Sequence, residues 1–213
     1  MSQGAASTSG DRGVARRRLF LETALRVFCE RGYSQVSVND IVQLTGGSLA
    51  TLYSQFGNKE GLFLAVLEEC NARLAADLCP VADPSLALRA GLQRIGEHYL
   101  RRALSAESRR FFKMIVAASA DFPAAAKECL RVGPNRVVET VADYLEKRAA
   151  KESVKFDDAH AAAIAFFALV RGPHQYRATL EDDYGLTDDE ISDHVRYAVK
   201  VLLEGAPSMA SAR

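Results

Sequence analysis

The chain has 213 residues, enough to bury a sizeable core and too many for a peptide scaffold. Its 27 Lys and Arg balance 27 Asp and Glu, so no global positive field exists to hold nucleic acid, and any DNA binding has to be local. A hydrophobic content of 48% with 25% charged residues and no Trp excludes disordered and collagenous classes.

Cys29, Cys70, Cys79 and Cys129 lie far apart, with no CxxC and no paired His spacing, which argues against zinc and against a disulfide framework. A reducing, cytoplasmic compartment fits that pattern. The longest strongly apolar stretch, Ala161 to Val170, falls short of the roughly 20 residues that span a bilayer, so no membrane partner is expected. The Ser/Gly/Ala-rich start lacks the apolar centre of a secretory signal and reads as a disordered tail over residues 1–14, with a second at 207–213.

From Arg16 onward the pattern is helix after helix. Phe20, Leu21, Ala24, Val27 and Phe28 recur at helical spacing, and Gly32 ends that first amphipathic helix. Ser37 with Asp40 resembles a capping box for a second, short helix to about Leu44. Thr45, Gly46 and Gly47 supply a tight turn, and Ser48 caps a third helix that turns Leu52 and Phe56 inward. Two short helices across a glycine turn make a helix-turn-helix unit.

Gly57 stops the third helix, and Asn58 caps a long fourth from Lys59 to about Leu78, with Leu62, Phe63, Val66, Leu67 and Leu74 inward. Asp83-Pro84 suits the start of a helix to about Leu104, followed by helices over Glu107 to Ala120, Phe122 to Val132 and Pro134 to Lys151. Asp157 to Val170 is apolar round its whole circumference and has to be covered on every side. After a loop from Pro173 to Leu186, Thr187 to Glu190 caps a last amphipathic helix to about Glu204. With no alternating strand pattern and no internal repeat, the fold class is all-α, with about nine helices.

The stretches LETALRVFCERGY (21–33), SVNDI (37–41) and GGSLATLYSQFGNKE (46–60) closely resemble, in order and spacing, the DNA-binding domain of the TetR family of bacterial transcriptional regulators. Gly133-Pro134 to Leu145 and Val170-Arg171-Gly172 resemble more weakly the C-terminal domain of the AefR-like branch. The resemblance implies a DNA-binding domain over 15–60 and a larger helical domain over 61–206 that binds a small ligand and dimerises. The expected partners are a double-stranded DNA operator, a second copy of the chain and a small apolar or amphipathic effector, with no cofactor or metal.

On that resemblance the third helix enters the major groove, where an α-helix fits and its side chains reach base edges. Ser48, Thr51 and Ser54 offer hydroxyls, Gln55 suits bidentate pairing with adenine, and Leu49 either meets a thymine methyl or packs inward. Ser37 and Asn39, at the second helix, complete the expected face. Tyr53 and Lys59 match the family's phosphate contacts, and a cation at the start of the fourth helix adds to its positive dipole end. Arg12, Arg16, Arg17 and Arg18 are either a solvated tail or a backbone and minor-groove arm. Residues 1–60 hold seven Lys and Arg against five Asp and Glu, a local excess of two. Gly47, where the family commonly has an apolar residue, leaves a gap for Leu49 or Val36 to fill.

Effector candidates, chosen as mostly apolar side chains with a few polar groups, are Tyr99, Arg102, Phe111, Met114, Ile115, Phe122, Tyr144, Phe166 and Val170. The family forms its dimer interface with the last two long helices, which assigns Ala161, Ile164, Ala165, Phe167, Ala168, Val195, Val199 and Leu202 to that surface or to the chain's own core. No nucleophile and base pair, phosphate-cradling loop or useful carboxylate pair marks an enzyme. The expected function is a ligand-responsive transcriptional repressor. The alternative is a helical small-molecule-binding protein that has lost operator recognition, which the uncharged third helix favours.

Overall fold

A computed structural model describes residues 9–205 apart from Cys79, Pro84 and Ser153. The described residues form helices and no strands: α1 (Ser9–Arg31), α2 (Val38–Thr45), α3 (Leu49–Phe56), α4 (Lys59–Leu78), α5 (Leu88–Ala103), α6 (Ala106–Asp121), α7 (Pro123–Glu152), α8 (Ala159–Arg171), α9 (His174–Leu180) and α10 (Asp188–Glu204). They group into two compact units, one of residues up to Asn71 together with Lys113–Leu130, the other of Ala72–Phe112 with the remainder from Arg131.

Four boundaries differ from the sequence expectation. Residues 9–14, read as tail, belong to α1, with Asp11 in the first turn where the helix dipole favours a carboxylate; the rest of that tail, and 207–213, lie outside the described residues. The helix continues through Gly133-Pro134, so 122–132 and 134–151 are one element, α7. Burial of Val137, Val138, Val141 and Leu145 just beyond the proline explains how packing overrides the local break. The helix expected from Asp83-Pro84 starts only at Leu88; Asp83 instead accepts from the Ser85 N–H at 2.8 Å, and the Leu88 N–H is satisfied by Glu152 at 2.7 Å. The loop expected from Pro173 to Leu186 contains α9.

The first unit buries Phe20, Leu21, Ala24, Val27 and Phe28 of α1, the stripe legible in the sequence, against Ile41, Leu52, Phe56, Leu62, Phe63 and Val66. Phe28 meets Phe63 edge-on at 5.4 Å, a favoured aromatic geometry. Met114, Ala118 and Cys129 from the second segment are buried too, with the Cys29 thiol 3.8 Å from the Met114 sulfur and the buried Asn71 amide 3.8 Å from the Cys129 sulfur. Cys29 and Cys129 thus pack as small hydrophobes.

In the second unit α10 packs on α5 and α8 around one apolar cluster containing Leu92, Ile95, Val141, Leu145, Phe166, Phe167, Val170, Val195 and Val199. Gly96 makes the close approach possible, since a Cβ there would lie 2.5 Å from Val195. Polar groups stitch the same pair: Gln93 donates to the Ser192 carbonyl at 2.9 Å, and Ser192 to Glu97 at 2.8 Å. Asp158 caps α8 and Thr187 with Glu190 forms the expected capping box at α10. Among the described residues no helix is long and apolar enough to cross a membrane.

Candidate nucleic-acid interface

Two short helices joined by a glycine turn present a polar face because their caps are written into the sequence. The Ser37 hydroxyl accepts from the Asp40 N–H at 3.2 Å while the Asp40 carboxylate accepts from the Ser37 N–H at 2.8 Å, closing the capping box of α2. The Ser37 N–H and the Ser37 hydroxyl, which both donate to the Asp40 carboxylate, hold it below its ordinary pKa. Gly46 ends α2 in the left-handed region at φ 63°, which glycine adopts without a Cβ penalty. The Ser48 hydroxyl then accepts from the Thr51 N–H at 3.1 Å to start α3.

Gly47 leaves no gap. Phe20 fills the space, so close that a Cβ on Gly47 would meet its ring at 2.8 Å, and neither Leu49 nor Val36 is needed there. Arg16, Arg17 and Arg18, before the first apolar stripe, also have partners within the first unit. Arg16 donates to the Thr45 carbonyl at 2.9 Å and so satisfies the C-terminal end of α2, Arg17 lies 4.6 Å over the Phe56 ring, and Arg18 pairs with Glu22 at 2.7 Å. All four arginines belong to α1 rather than to a tail, and Arg12, Arg17 and Arg18 are exposed on it.

Five of the nine expected DNA residues, Ser37, Asn39, Leu49, Tyr53 and Lys59, share one cleft of the first unit, and Ser48, Thr51, Ser54 and Gln55 do not line it. Ser34, Gln35, Val36, Ser37, Val38, Asn39, Leu49, Tyr53 and Lys59 line an open cleft of about 450 Å³. Leu49 is 37% and Tyr53 47% exposed, which turns both outward from the core that Leu52 and Phe56 occupy. Ser37, Asn39, Ser48 and Ser54 are exposed and Thr51 is half-buried. Several of these hydroxyls are already engaged, Ser48 with Thr51 at 2.8 Å and Ser54 with the Thr51 carbonyl at 2.9 Å, so they present their remaining lone pairs outward.

Lys59 opens α4, whose first turn is capped by Asn58 accepting from the Gly61 N–H at 2.7 Å. Its ammonium lies 4.3 Å over the Tyr33 ring. Burial lowers the Lys59 pKa, and the charges of Asp121 and Asp40 oppose that shift. The Tyr33 phenol is pushed up by burial and by Glu60.

Gln55 is half-buried, and its carbonyl Oε1 is enclosed with no hydrogen-bond partner, which withdraws that oxygen from the two-atom edge that pairs with adenine. Gln55→Ala is therefore expected to leave base preference unchanged in a selection from random DNA, and Gln55→Leu to be neutral or mildly stabilising, since a buried unsatisfied acceptor is lost. A shifted base preference would restore the readout role.

With this geometry in place, the comparisons with known proteins decide the family. A model described as bacterial regulatory proteins, tetR family, matches residues 20–66, and one described as AefR-like transcriptional repressor, C-terminal domain, matches 90–205. The chain belongs to the TetR family. Among curated TetR-type relatives, it is 46% identical over 56 residues to the HTH-type transcriptional repressor ComR of Escherichia coli, covering 26% of this chain and 27% of ComR. It is 42% identical over 67 residues to the repressor AcnR of Corynebacterium efficiens, covering 32% of this chain and 36% of AcnR. The chain thus matches about a quarter to a third of the length of these curated relatives. A solved TetR-family regulator from Mesorhizobium loti superposes with a TM-score of 0.81 at 20% identity, over 90% of this chain and 96% of that one. The flavonoid-responsive regulator FrrA superposes with 0.78 at 29% identity, over 89% and 96%.

Outside the DNA face, the structure sorts the remaining candidates by burial. On α8 the residues Ala159, Ala163, Phe166, Phe167 and Val170 face the core of the second unit, whereas Ala161, Ile164, Ala165 and Ala168, spaced as one helix face, are exposed. Phe167, Val195 and Val199 are 1%, 0% and 1% exposed and belong to the chain's own core, so they offer no area to a second copy. Leu202 is half-buried against that core. Tyr176, Leu180 and Tyr197 are exposed apolar groups on α9 and α10 that the sequence did not single out.

Of the effector candidates, Phe166, Val170 and Tyr144 are fully enclosed in the second unit. Tyr99 is partly buried with its ring 4.6 Å from Phe167, and Phe111 is half-buried. Arg102 is engaged at the junction of α5 and α6, donating to Ser105 at 3.0 Å and Ser108 at 2.9 Å and facing Asp77 and Glu107, which leaves its guanidinium committed. Met114, Ile115 and Phe122 fall in the first unit. Among the described residues no three His, Cys, Asp or Glu side chains come together as a metal site.

Proposed function

We propose that the protein is a homodimeric, ligand-responsive repressor that grips a palindromic DNA operator with α2, α3 and the start of α4 and releases it when a small molecule binds. The observation that carries this reading is the open cleft in which exposed Tyr53, Asn39 and Ser37 stand beside the Lys59 ammonium at a helix start. A phenol hydroxyl, a cation and helix N-terminal groups are the chemistry that positions a protein on phosphates, and Leu49 and the α3 hydroxyls stand where base edges would be met. The protein acts by binding, in the cytoplasm, and not by catalysis.

A second copy would cover the exposed apolar face of α8, with Ala161, Ala165 and Ala168 allowing close backbone approach and Ile164 supplying buried area. Two-fold symmetry would then present two α3 helices to two half-sites. The effector is a small apolar or amphipathic molecule, Tyr99 and Phe111 being the partly exposed candidates in the second unit. The flavonoid response of FrrA, similar over most of the chain, makes planar phenolic compounds the first class to try.

The deciding experiment is a mobility-shift titration against the DNA upstream of the gene, with salt varied. Specific binding should exceed that for random DNA, and Tyr53→Phe and Lys59→Ala should each weaken binding to every sequence about tenfold. Lys59→Ala should also flatten the salt dependence by about 0.9 per reading head, the slope of one lost phosphate contact. Equal affinity for the upstream region and for random DNA would return the reading to a small-molecule-binding module.

A further inference from the structure

We infer, resting on the operator-binding function proposed above, that Phe122 is a positioning residue of the DNA face: through Tyr33 it holds Lys59 at the phosphate cleft. Tyr33 sits in the short connection after α1, where no helix fixes its side chain. Its ring is held by neighbours instead: Phe63 at 4.6 Å, Phe28 at 5.6 Å and Phe122 at 5.9 Å, the last nearly parallel at 17°. Lys59 rests on that ring, its ammonium 4.3 Å from the centroid.

A lysine side chain left to itself samples many rotamers, and fixing it on a phosphate forfeits that freedom. Stacking on Tyr33 restricts the chain before DNA arrives. The restriction is only as good as the seat of Tyr33, and Phe122 forms one wall of it. The neighbouring residues repeat the grip: the Ser34 hydroxyl donates to the Asp121 carboxylate, and Ser34 lines the same cleft as Lys59 and Tyr53. Residues 121 and 122, at the junction of α6 and α7, therefore hold residues 33 and 34 side by side. The charges of Asp121 and Asp40 both favour the Lys59 ammonium. A phenylalanine that sequence reasoning assigned to effector binding thereby becomes part of the DNA-binding apparatus.

Phe122→Ala, with Phe122→Leu as a variant that keeps apolar volume but lacks the aromatic face, provides the test, alongside Phe122→Tyr as the conservative control. Operator affinity of Phe122→Ala should fall about tenfold and its salt slope by about 0.9 per reading head, as for a lost phosphate contact. Phe122→Leu should fall between that variant and the unaltered protein, and Phe122→Tyr should restore both quantities. In a double-mutant cycle, Phe122→Ala combined with Lys59→Ala should bind no more weakly than Lys59→Ala alone. Without DNA, the nuclear magnetic resonance of the Lys59 ε-methylene, displaced by the Tyr33 ring, should move toward its free-chain position in Phe122→Ala. Additive losses in the cycle, an unchanged slope or an unmoved Lys59 resonance overturns the assignment. If the unaltered protein fails to prefer its operator, the DNA-binding function falls, while the Lys59 resonance still decides whether Phe122 positions it.

Discussion

Ile164→Asp is expected to convert a dimer into a monomer and to lower operator affinity by about a hundredfold to ten-thousandfold. Ile164 is 48% exposed on the outer face of α8, so a carboxylate there meets water in the monomer and should change its stability by about 0.5 kcal/mol or less. In a symmetric dimer through this face both copies of the position would be covered, and the substitution would bury two carboxylates in an apolar contact. The monomer would keep one intact reading head. What it loses is the effective concentration that the second head gains from the first, and that linkage is worth the stated factor. Sedimentation would read the mass and a mobility shift the affinity. An Ile164→Asp protein that stays dimeric and binds its operator normally would falsify the assignment of this face. Phe167→Asp, by contrast, should unfold the second unit, because Phe167 is 1% exposed within its core.

The second large effect is on stability. Gly61→Ala is expected to destabilise the protein by about 3 kcal/mol, although alanine is ordinarily the better helix former by about 1 kcal/mol. A Cβ on Gly61 would lie 2.0 Å from the Phe56 carbonyl oxygen, a backbone atom that cannot swing aside. That carbonyl also accepts from the Asn58 N–H at 2.9 Å, so relieving the clash opens the turn between α3 and α4 and displaces Lys59 from the Tyr33 ring. Gly13→Ala is the control: nothing lies within 4 Å of a Cβ there, in the helix α1, and the same exchange should stabilise by up to about 1 kcal/mol. Thermal unfolding of the two variants would separate the steric effect from helix propensity. A Gly61→Ala protein as stable as the parent would show that the turn yields freely.

The contrast between these two glycines marks where sequence reasoning stops. Both stand in helices, and only the position of a carbonyl five residues earlier in the chain makes one of them irreplaceable. Gly47 repeats the lesson from the other side. A missing side chain in the helix-turn-helix looked like a gap, yet Phe20 of α1 occupies it, a distance in sequence that no local pattern bridges.

Polar residues behaved in the same way. The hydroxyl and carboxylate caps of α2, α3 and α10 were legible because capping is local, with donor and acceptor three residues apart. Arg16, Arg17 and Gln55 were not, because an arginine near a DNA-binding helix and an arginine bracing that helix have identical sequence signatures. Their difference lies in the Thr45 carbonyl, the Phe56 ring and the enclosure of one amide oxygen. Pro134 was read as a break for a similar reason: the proline penalty is local, and the apolar burial that outweighs it is not.

Helical periodicity, local caps and the spacing of three short stretches determined the all-α fold, the helix-turn-helix and the family, since each depends on residues within a turn or two of one another. The family resemblance also pointed to Tyr53 and Lys59, which the structure brings to one cleft. Tertiary structure alone decided which apolar face of α8 is spent on the chain's own core and which is left exposed, and which arginines are braces. It also decided that Lys59 rests on Tyr33 in a seat shared with Phe122. Those outcomes depend on partners brought together from distant parts of the chain, and the energy of a side chain depends on what touches it.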